Sequence, residues 1–110
     1  MKMTVKQLAS HQGFTPVSLP DPDREIKNVY IGDLLSWVMG KAQADDAWIT
    51  IMSNINVVAV ASLSDTACVI LAEDVILDDS TIKAAEEKGI NILSTPQSAY
   101  QVAKFLSTVI

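Results

Sequence analysis

The amino-acid sequence predicts an α/β fold, organised as a single layered domain with a mostly parallel sheet and a central β-α-β unit. Two short apolar runs, Ala47–Ile51 and Ala67–Ala72, indicate strands. The segment between them is long enough for the crossover of about a dozen residues that parallel neighbours need. No Gly or Pro lies between Lys41 and Lys88, so tight hairpins lack their usual turn residues there. Helical and extended patterns also alternate along the chain, which is typical of a layered α/β sheet.

The connection between these two strands decides the topology. Its middle, Val57–Leu63, is rich in valine and resembles a third strand. Ser53, Asn54 and Asn56 stand immediately before it, and these residue types are preferred at helix N-caps. The sequence therefore predicts a buried helix over Asn54–Leu63.

Ahead of this unit, the pattern predicts two helices and two strands. Thr4 opens a helix over Val5–Gln12, and Phe14–Ser18 follows as a short strand whose proline favours an edge position. After a polar loop, Ile26–Ile31 is a predicted strand, and Asp33 is the predicted N-cap of the next helix. The apolar stripe of that helix comprises Leu34, Leu35, Val38, Met39 and Ala42.

Behind the central unit, the alternation continues to the end of the chain. The acidic connection Glu73–Asp79 precedes a helix over Ser80–Lys88, and Ile90–Leu93 is the last strand. Thr95 is the predicted N-cap of the closing helix, with Pro96 at its first position. The apolar stripe of the closing helix comprises Ala99, Val102, Ala103, Leu106 and Ile110.

Length, charge and cysteine usage exclude several classes of protein. The chain of 110 residues predicts one domain over residues 1–110. A net charge of −5 disfavours nucleic acid as a partner. The amino terminus lacks the apolar region of a signal peptide, and no apolar run approaches the ~20 residues that cross a bilayer, so no membrane partner is expected. The single cysteine, Cys68, forms no intrachain disulfide, which fits a cytoplasmic location.

A candidate ligand site follows from the predicted topology. Ligands of open α/β sheets bind outside the carboxyl ends of the strands, where helix N-termini present free N–H groups. The residues predicted at those ends are small or polar, and helix capping alone is the alternative explanation for each of them. Three of them crowd into one turn, where a single cap would suffice. The candidate ligand-binding residues are Gly32, Asp33, Ser53, Asn54, Asn56, Ser94 and Thr95.

The two tryptophans have different predicted roles. Trp37 lies off the centre of its helix's apolar stripe, so it is either an interface anchor for another chain or part of the peripheral core. Trp48 lies within a predicted strand and is expected in the core.

No catalytic residue, metal site or cofactor is predicted. His11 is the only histidine and has no cysteine or second histidine near it in the sequence, whereas zinc needs three or four ligands. Nothing local orients His11 as a base for a nucleophile, and Cys68 is expected to pack as a small hydrophobe. Neither standard phosphate-binding glycine motif is present.

Four segments in order carry a resemblance to a known family. They are Tyr30–Met39, Asp46–Ile51, Asn56–Ala61 and Gly89–Thr95. The chain resembles small stand-alone DRTGG-domain proteins, which are similar to the amino-terminal, non-kinase domain of HPr kinase/phosphorylase. The resemblance implies an α/β fold shared with that domain and with the amino-terminal domains of the Mur ligases, and a regulatory role. The Asp-Arg-Thr-Gly-Gly signature is absent, and the resemblance supplies no catalytic residues.

Two functional hypotheses follow. The first is a non-catalytic regulatory domain that self-associates as a homodimer and acts through a protein partner. The alternative is a small-molecule sensor that binds a nucleotide or phosphorylated metabolite at the carboxyl ends of the strands. The lack of Lys or Arg near those ends argues against a highly charged ligand.

Overall fold

The computed structural model describes residues 2–110, which contain five helices and seven strands. In chain order the elements are β1 (Met3–Thr4), α1 (Val5–Ala9), β2 (Thr15–Ser18), β3 (Glu25–Ile26), β4 (Asn28–Ile31), α2 (Leu35–Lys41), β5 (Asp46–Thr50), α3 (Asn56–Ser64), β6 (Cys68–Leu71), α4 (Asp79–Glu87), β7 (Ile92–Ser94) and α5 (Ala99–Leu106).

Five of the strands form one sheet in the order β2-β7-β6-β5-β4. The four strands β4 to β7 are parallel neighbours, and β2 joins the β7 edge antiparallel. This arrangement confirms the predicted α/β fold, the mostly parallel sheet and the central β-α-β unit. The predicted strand Ile26–Ile31 is wrong as one piece: Ile26 belongs to β3, which pairs with β1 in a separate two-stranded sheet, and β4 begins at Asn28.

The helices divide between the two faces of the sheet. Each connection from β4 to β7 advances to the adjacent strand, so right-handed crossovers place α2, α3 and α4 on one face. The hydrophobic core on that face contains Trp48 and Val38, and Trp48 is fully buried as predicted. The opposite face is covered by α1 and α5, whose buried residues include Leu8 and Val102.

The valine-rich segment is a helix, which confirms the prediction that decided the topology. α3 buries Val57, Val58, Val60 and Ala61 between its neighbouring helices and the sheet. It ends at Asp65, which adopts the left-handed conformation with φ of 57°. Burial on more than one side explains why its sequence lacks a polar stripe.

Three of the predicted helix caps are wrong. The N-cap of α3 is Ile55, with no side-chain hydrogen bond, rather than any of the predicted candidates Ser53, Asn54 and Asn56. Asp33 does not cap α2, whose N-cap is Leu34 with no side-chain hydrogen bond. Thr95 does not cap α5. The helix begins at Ala99, three residues after the predicted first position Pro96, and its N-cap is Ser98. The residues that cap α5 form a complete capping box, in which the Ser98 hydroxyl accepts the N–H of Gln101 and the Gln101 side chain accepts the N–H of Ser98.

Other boundaries shift by a few residues. The Thr4 capping box is present, but α1 ends at Ala9 rather than Gln12. α4 covers Asp79–Glu87, and its N-cap is Asp78 from the acidic connection. None of the helices within residues 2–110 is long and apolar enough to cross a membrane.

An ion-pair network joins three loops at the amino ends of β5 and β6. The guanidinium of Arg24 contacts the carboxylates of Asp45 at 3.0 Å and Asp65 at 2.9 Å, and Lys27 lies 3.7 Å from Asp45. Asp45 and Asp65 both have positive φ, so their loops turn sharply toward Arg24. The network holds the end of the sheet opposite to the predicted ligand site.

Candidate functional site

The parallel strands bring their carboxyl ends to one edge of the domain, as the predicted topology requires. Gly32 and Asp33 follow β4, and Ser53, Asn54 and Asn56 follow β5. Ser94 and Thr95 lie at the end of β7. Since β6 and β5 separate β7 from β4, these groups are about 14 Å from the end of β4, at roughly 4.8 Å per strand. The structure therefore divides the candidate residues into two groups.

Asp33 ties the ends of β4 and β5 together. Its Oδ1 accepts the hydroxyl of Thr50 at 2.7 Å and the N–H of Ile51 at 3.0 Å. Thr50 is buried, and its Oγ1 in turn accepts the N–H of Met52 at 3.2 Å. One oxygen of the Asp33 carboxylate thus links the loop after β4 to the end of β5. The sequence alone does not distinguish this structural role from helix capping.

Gly32 is hydrogen-bonded through its backbone and closely packed against one side chain. Its carbonyl accepts the indole N–H of the buried Trp48 at 2.8 Å. A Cβ at this position would lie 2.9 Å from Cε2 of Tyr30. The backbone of Gly32 is therefore occupied by its own neighbours rather than presented to a ligand.

The Ser53–Asn56 turn uses one of its three polar side chains internally. Oδ1 of Asn54 accepts the N–H of Asn56 at 2.8 Å, and the Asn54 carbonyl accepts the N–H of Val57 at 2.9 Å. Asn54 therefore shapes the turn into α3. The side chains of Ser53 and Asn56 are exposed and have no hydrogen-bond partner among residues 2–110.

The switch point of the sheet lies between β6 and β7, because their following helices pack on opposite faces. Ligands of α/β sheets bind at such a point. Here the backbone itself closes it: Glu73 N–H donates to Gln97 O at 2.9 Å, and Asp74 N–H donates to Thr95 O at 3.0 Å. Thr95 is buried, and its hydroxyl accepts the N–H of Gln97 at 3.2 Å. Ser94 and Thr95 therefore lie where hydrogen bonds close the crevice, and the Thr95 backbone and hydroxyl take part in those bonds.

Several exposed apolar side chains belong to the same elements as the first polar group, and of these only Trp37 was a predicted interface residue. The side chains stand at the ends of β4 and β5 and at the starts of α2 and α3. We call the exposed side chains on the face that bears α2 and α3 the apolar corner; its members and exposed fractions are Leu34 59%, Trp37 60% and Ile55 52%. Ile31 and Ile51 are also exposed, but Ile31 lies on the opposite face of the sheet, since Val29 and the register partner of Ile31, Ile49, pack in the core under α1 and α5. Most of the Trp37 side chain is exposed and lies outside the core. The prediction that Leu34 and Met39 belong to the buried stripe of α2 is wrong, because α2 covers the outermost parallel strand and has a helical neighbour on one side only.

The charges near this edge are negative. Asp33, Glu73, Asp74 and Asp78 all lie after the carboxyl ends of strands. Lys41 and Lys104 lie in the last turns of α2 and α5, toward the other end. A phosphorylated ligand would find no cation at the candidate residues.

The nucleophile and metal candidates lie apart from this edge. Burial raises the pKa of the Cys68 thiol to about 12, partly offset by the positive charge of Arg24, so the thiol stays protonated. His11 packs its ring 4.5 Å from that of Phe105. Within residues 2–110, no group of three His, Cys, Asp or Glu side chains is placed to hold a metal ion.

Comparisons with known proteins agree with the fold. The family model described as the DRTGG domain matches residues 20–109 of this chain. Among curated proteins, none matches. A solved structure that is similar in fold contains the CBS and DRTGG domains of the regulatory region of Clostridium perfringens pyrophosphatase, complexed with its activator diadenosine tetraphosphate. The TM-score is 0.65 at 11% identity, and the match covers 83% of this chain but only 40% of that one.

Proposed function

This chain belongs to the DRTGG domain family, and we propose that it is a non-catalytic regulatory domain that self-associates and acts through a protein partner. We also propose that residues 1–110 act as one domain in the cytoplasm. The regulatory role is supported by the similar fold in the regulatory region of a pyrophosphatase, although this chain spans only 40% of the solved chain of that region. We further propose that the chain is similar to the amino-terminal, non-kinase domain of HPr kinase/phosphorylase.

The apolar corner is the observation that carries the interaction part of the proposal. Exposed tryptophan and aliphatic side chains gathered at one place are typical of protein interfaces, where aromatic anchors dominate binding energy. Trp37 is exposed, and Leu34 stands one helical turn before it. Burial of these side chains against a partner contributes a favourable free energy of about 25 cal/mol for each Å² of apolar surface removed from water.

A ligand sensor is the second candidate, since the pyrophosphatase region of similar fold was solved with a nucleotide activator. The free side chains of Ser53 and Asn56 would supply hydrogen bonds to such a ligand. The acidic surroundings oppose a polyphosphate, because Asp33 lies at the same edge and no lysine or arginine follows β4 or β5 there. The acidic edge therefore disfavours a polyphosphate, whereas Ser53 and Asn56 leave a less charged ligand as a candidate.

Sedimentation velocity over a wide range of protein concentrations tests the first proposal. A concentration-dependent shift from monomer to dimer is expected, and a monomer at every concentration would refute self-association. A thermal-shift screen with nucleotides and sugar phosphates tests the second. A ligand at about a hundred times its Kd stabilises the folded state by about 2.7 kcal/mol, which is easily detected in a domain of this size.

A further inference from the structure

The outer edge of β4 offers unpaired backbone groups. The N–H of Gly32 donates to Ile49 O at 3.2 Å, so Gly32 faces β5. Along a parallel ladder, alternate residues direct both backbone groups to the same neighbour. Tyr30 therefore also faces β5, whereas Val29 and Ile31 direct their N–H and C=O groups to the open side. Within residues 2–110 neither has a backbone partner there.

The two edges of the sheet differ in how they are protected. The opposite edge, β2, carries Pro16 and a register shift between Pro16 and Ser18. Proline and bulges are the devices by which natural sheets prevent edge-to-edge pairing. β4 contains neither, and none of its four residues is charged. The β4 edge is thus the one that is open to another strand.

Charge favours a second copy of this chain at that edge. The protein has a net charge of −5, so two copies repel each other over most of their surface. The segment from Asn28 to Lys41, which comprises β4 and α2, contains only Asp33 and Lys41 as charged residues and is neutral overall. Two copies meeting through this segment avoid juxtaposing like charges at the centre of the contact.

We propose that two copies pair through β4, antiparallel about a twofold axis at Tyr30, with α2 of each copy flanking the junction. In this register Val29 of one copy lies opposite Ile31 of the other. Each such pair exchanges two N–H to C=O hydrogen bonds, so all four outward groups of both residues are satisfied symmetrically. The inference rests on the proposed self-association and names the surface and register that carry it.

The helices would complete the interface. α2 packs against α3 on one side. Trp37 and Leu34, which are both exposed, lie three residues apart and so share one flank of the helix. A stable interface commonly removes about 800 Å² from each partner. That is about one seventh of the 5826 Å² surface of this chain, so backbone pairing along four residues needs the additional area of α2.

The first experiment measures the dimer dissociation constant by sedimentation for two matched pairs of variants. Trp37 and Lys41 form a cation–π pair with the Lys41 Nζ 5.1 Å from the ring centroid, and Tyr100 and Lys104 form one at 6.0 Å on α5. Trp37→Ala should raise the dissociation constant by about 30-fold or more, the size typical of a hot spot. Tyr100→Ala, which removes an equally exposed aromatic ring, should leave it unchanged.

The second pair compares isoleucines. Ile31→Lys places a charge on the β4 edge and should abolish the dimer. Ile76→Lys changes an exposed isoleucine in the loop before α4 and should not. A dimer that survives both Trp37→Ala and Ile31→Lys overturns the β4 interface while self-association stands. A wild-type chain that stays monomeric overturns self-association itself.

A cross-linking experiment tests the register directly. At the twofold axis the two Tyr30 Cα atoms form a non-hydrogen-bonded pair about 4.5 Å apart, within disulfide range. Tyr30→Cys should therefore give a disulfide-linked dimer on oxidation. Asn28→Cys should not, because its two copies would be about 14 Å apart at ~3.4 Å per residue. Cross-linking through Asn28→Cys but not Tyr30→Cys would refute the register.

Discussion

Replacement of Asp33 by alanine tests whether this carboxylate is structural. Its Oδ1 accepts the Thr50 hydroxyl at 2.7 Å and the Ile51 N–H at 3.0 Å. Hydrogen bonds to a charged group are worth about 1.5–3 kcal/mol each. Asp33 itself is exposed, so water replaces part of what is lost, and the Ile51 N–H is accessible to it. The Thr50 hydroxyl is buried and loses its acceptor. We expect a loss of about 1–2 kcal/mol, or about 5–15 °C in Tm.

Urea unfolding monitored by circular dichroism measures this loss, and two further variants isolate its cause. Asp33→Asn keeps an acceptor oxygen without the charge and should lose about half as much, since charge-assisted bonds are roughly twice as strong. A double-mutant cycle with Thr50→Val should give a coupling energy of about 1 kcal/mol. A coupling near zero, with Asp33→Ala as stable as the wild type, would refute the structural role and return Asp33 to the ligand candidates.

Three further predictions concern the core and the helix caps. Trp48→Phe removes the 2.8 Å bond to Gly32 and leaves a cavity, so urea unfolding should show a loss of about 2–3 kcal/mol. The Cys68 thiol, fully buried with its pKa raised to about 12, should react with a thiol reagent at neutral pH only after denaturant is added; rapid reaction without denaturant would contradict its burial. Hydrogen bonds from Thr81 and Ser80 lower the pKa of Asp78 in the folded state, so its stabilising effect is present above the unfolded pKa and is lost as the pH falls through the folded one. Asp78→Asn keeps a capping oxygen and should flatten that part of the curve of stability against pH, whereas an unchanged curve would assign the dependence to other carboxyl groups.

Most of the secondary structure could be predicted because its signals are local. The capping box at Thr4 and the polar turn before Val57 depend on residues within one helical turn. The absence of hairpin residues between the two central strands excluded the competing strand for the valine-rich segment. The order and register of the strands were not predicted, because the order β2-β7-β6-β5-β4 depends on pairings between residues far apart in the sequence.

The candidate site could be predicted only in its location. Asp33 looks like a helix cap in the sequence, but its partners are Thr50 and Ile51, which folding brings to it from the next strand. Thr95 also has the sequence context of a cap, and the chain instead uses Ser98. In both cases a polar residue near a predicted helix start has a tertiary partner that local spacing does not reveal.

By itself, the sequence determined the class of fold and the end of the sheet at which polar groups gather, because side-chain periodicity and turn chemistry act over a few residues. Only the tertiary structure decided which of those groups are engaged and which apolar side chains remain exposed. Exposure of Leu34 and Trp37 depends on α2 covering the outermost parallel strand, where one flank has no neighbouring helix. The position of an element in the sheet order is a property of the whole fold, and for this reason the apolar corner and the open β4 edge became visible only in three dimensions.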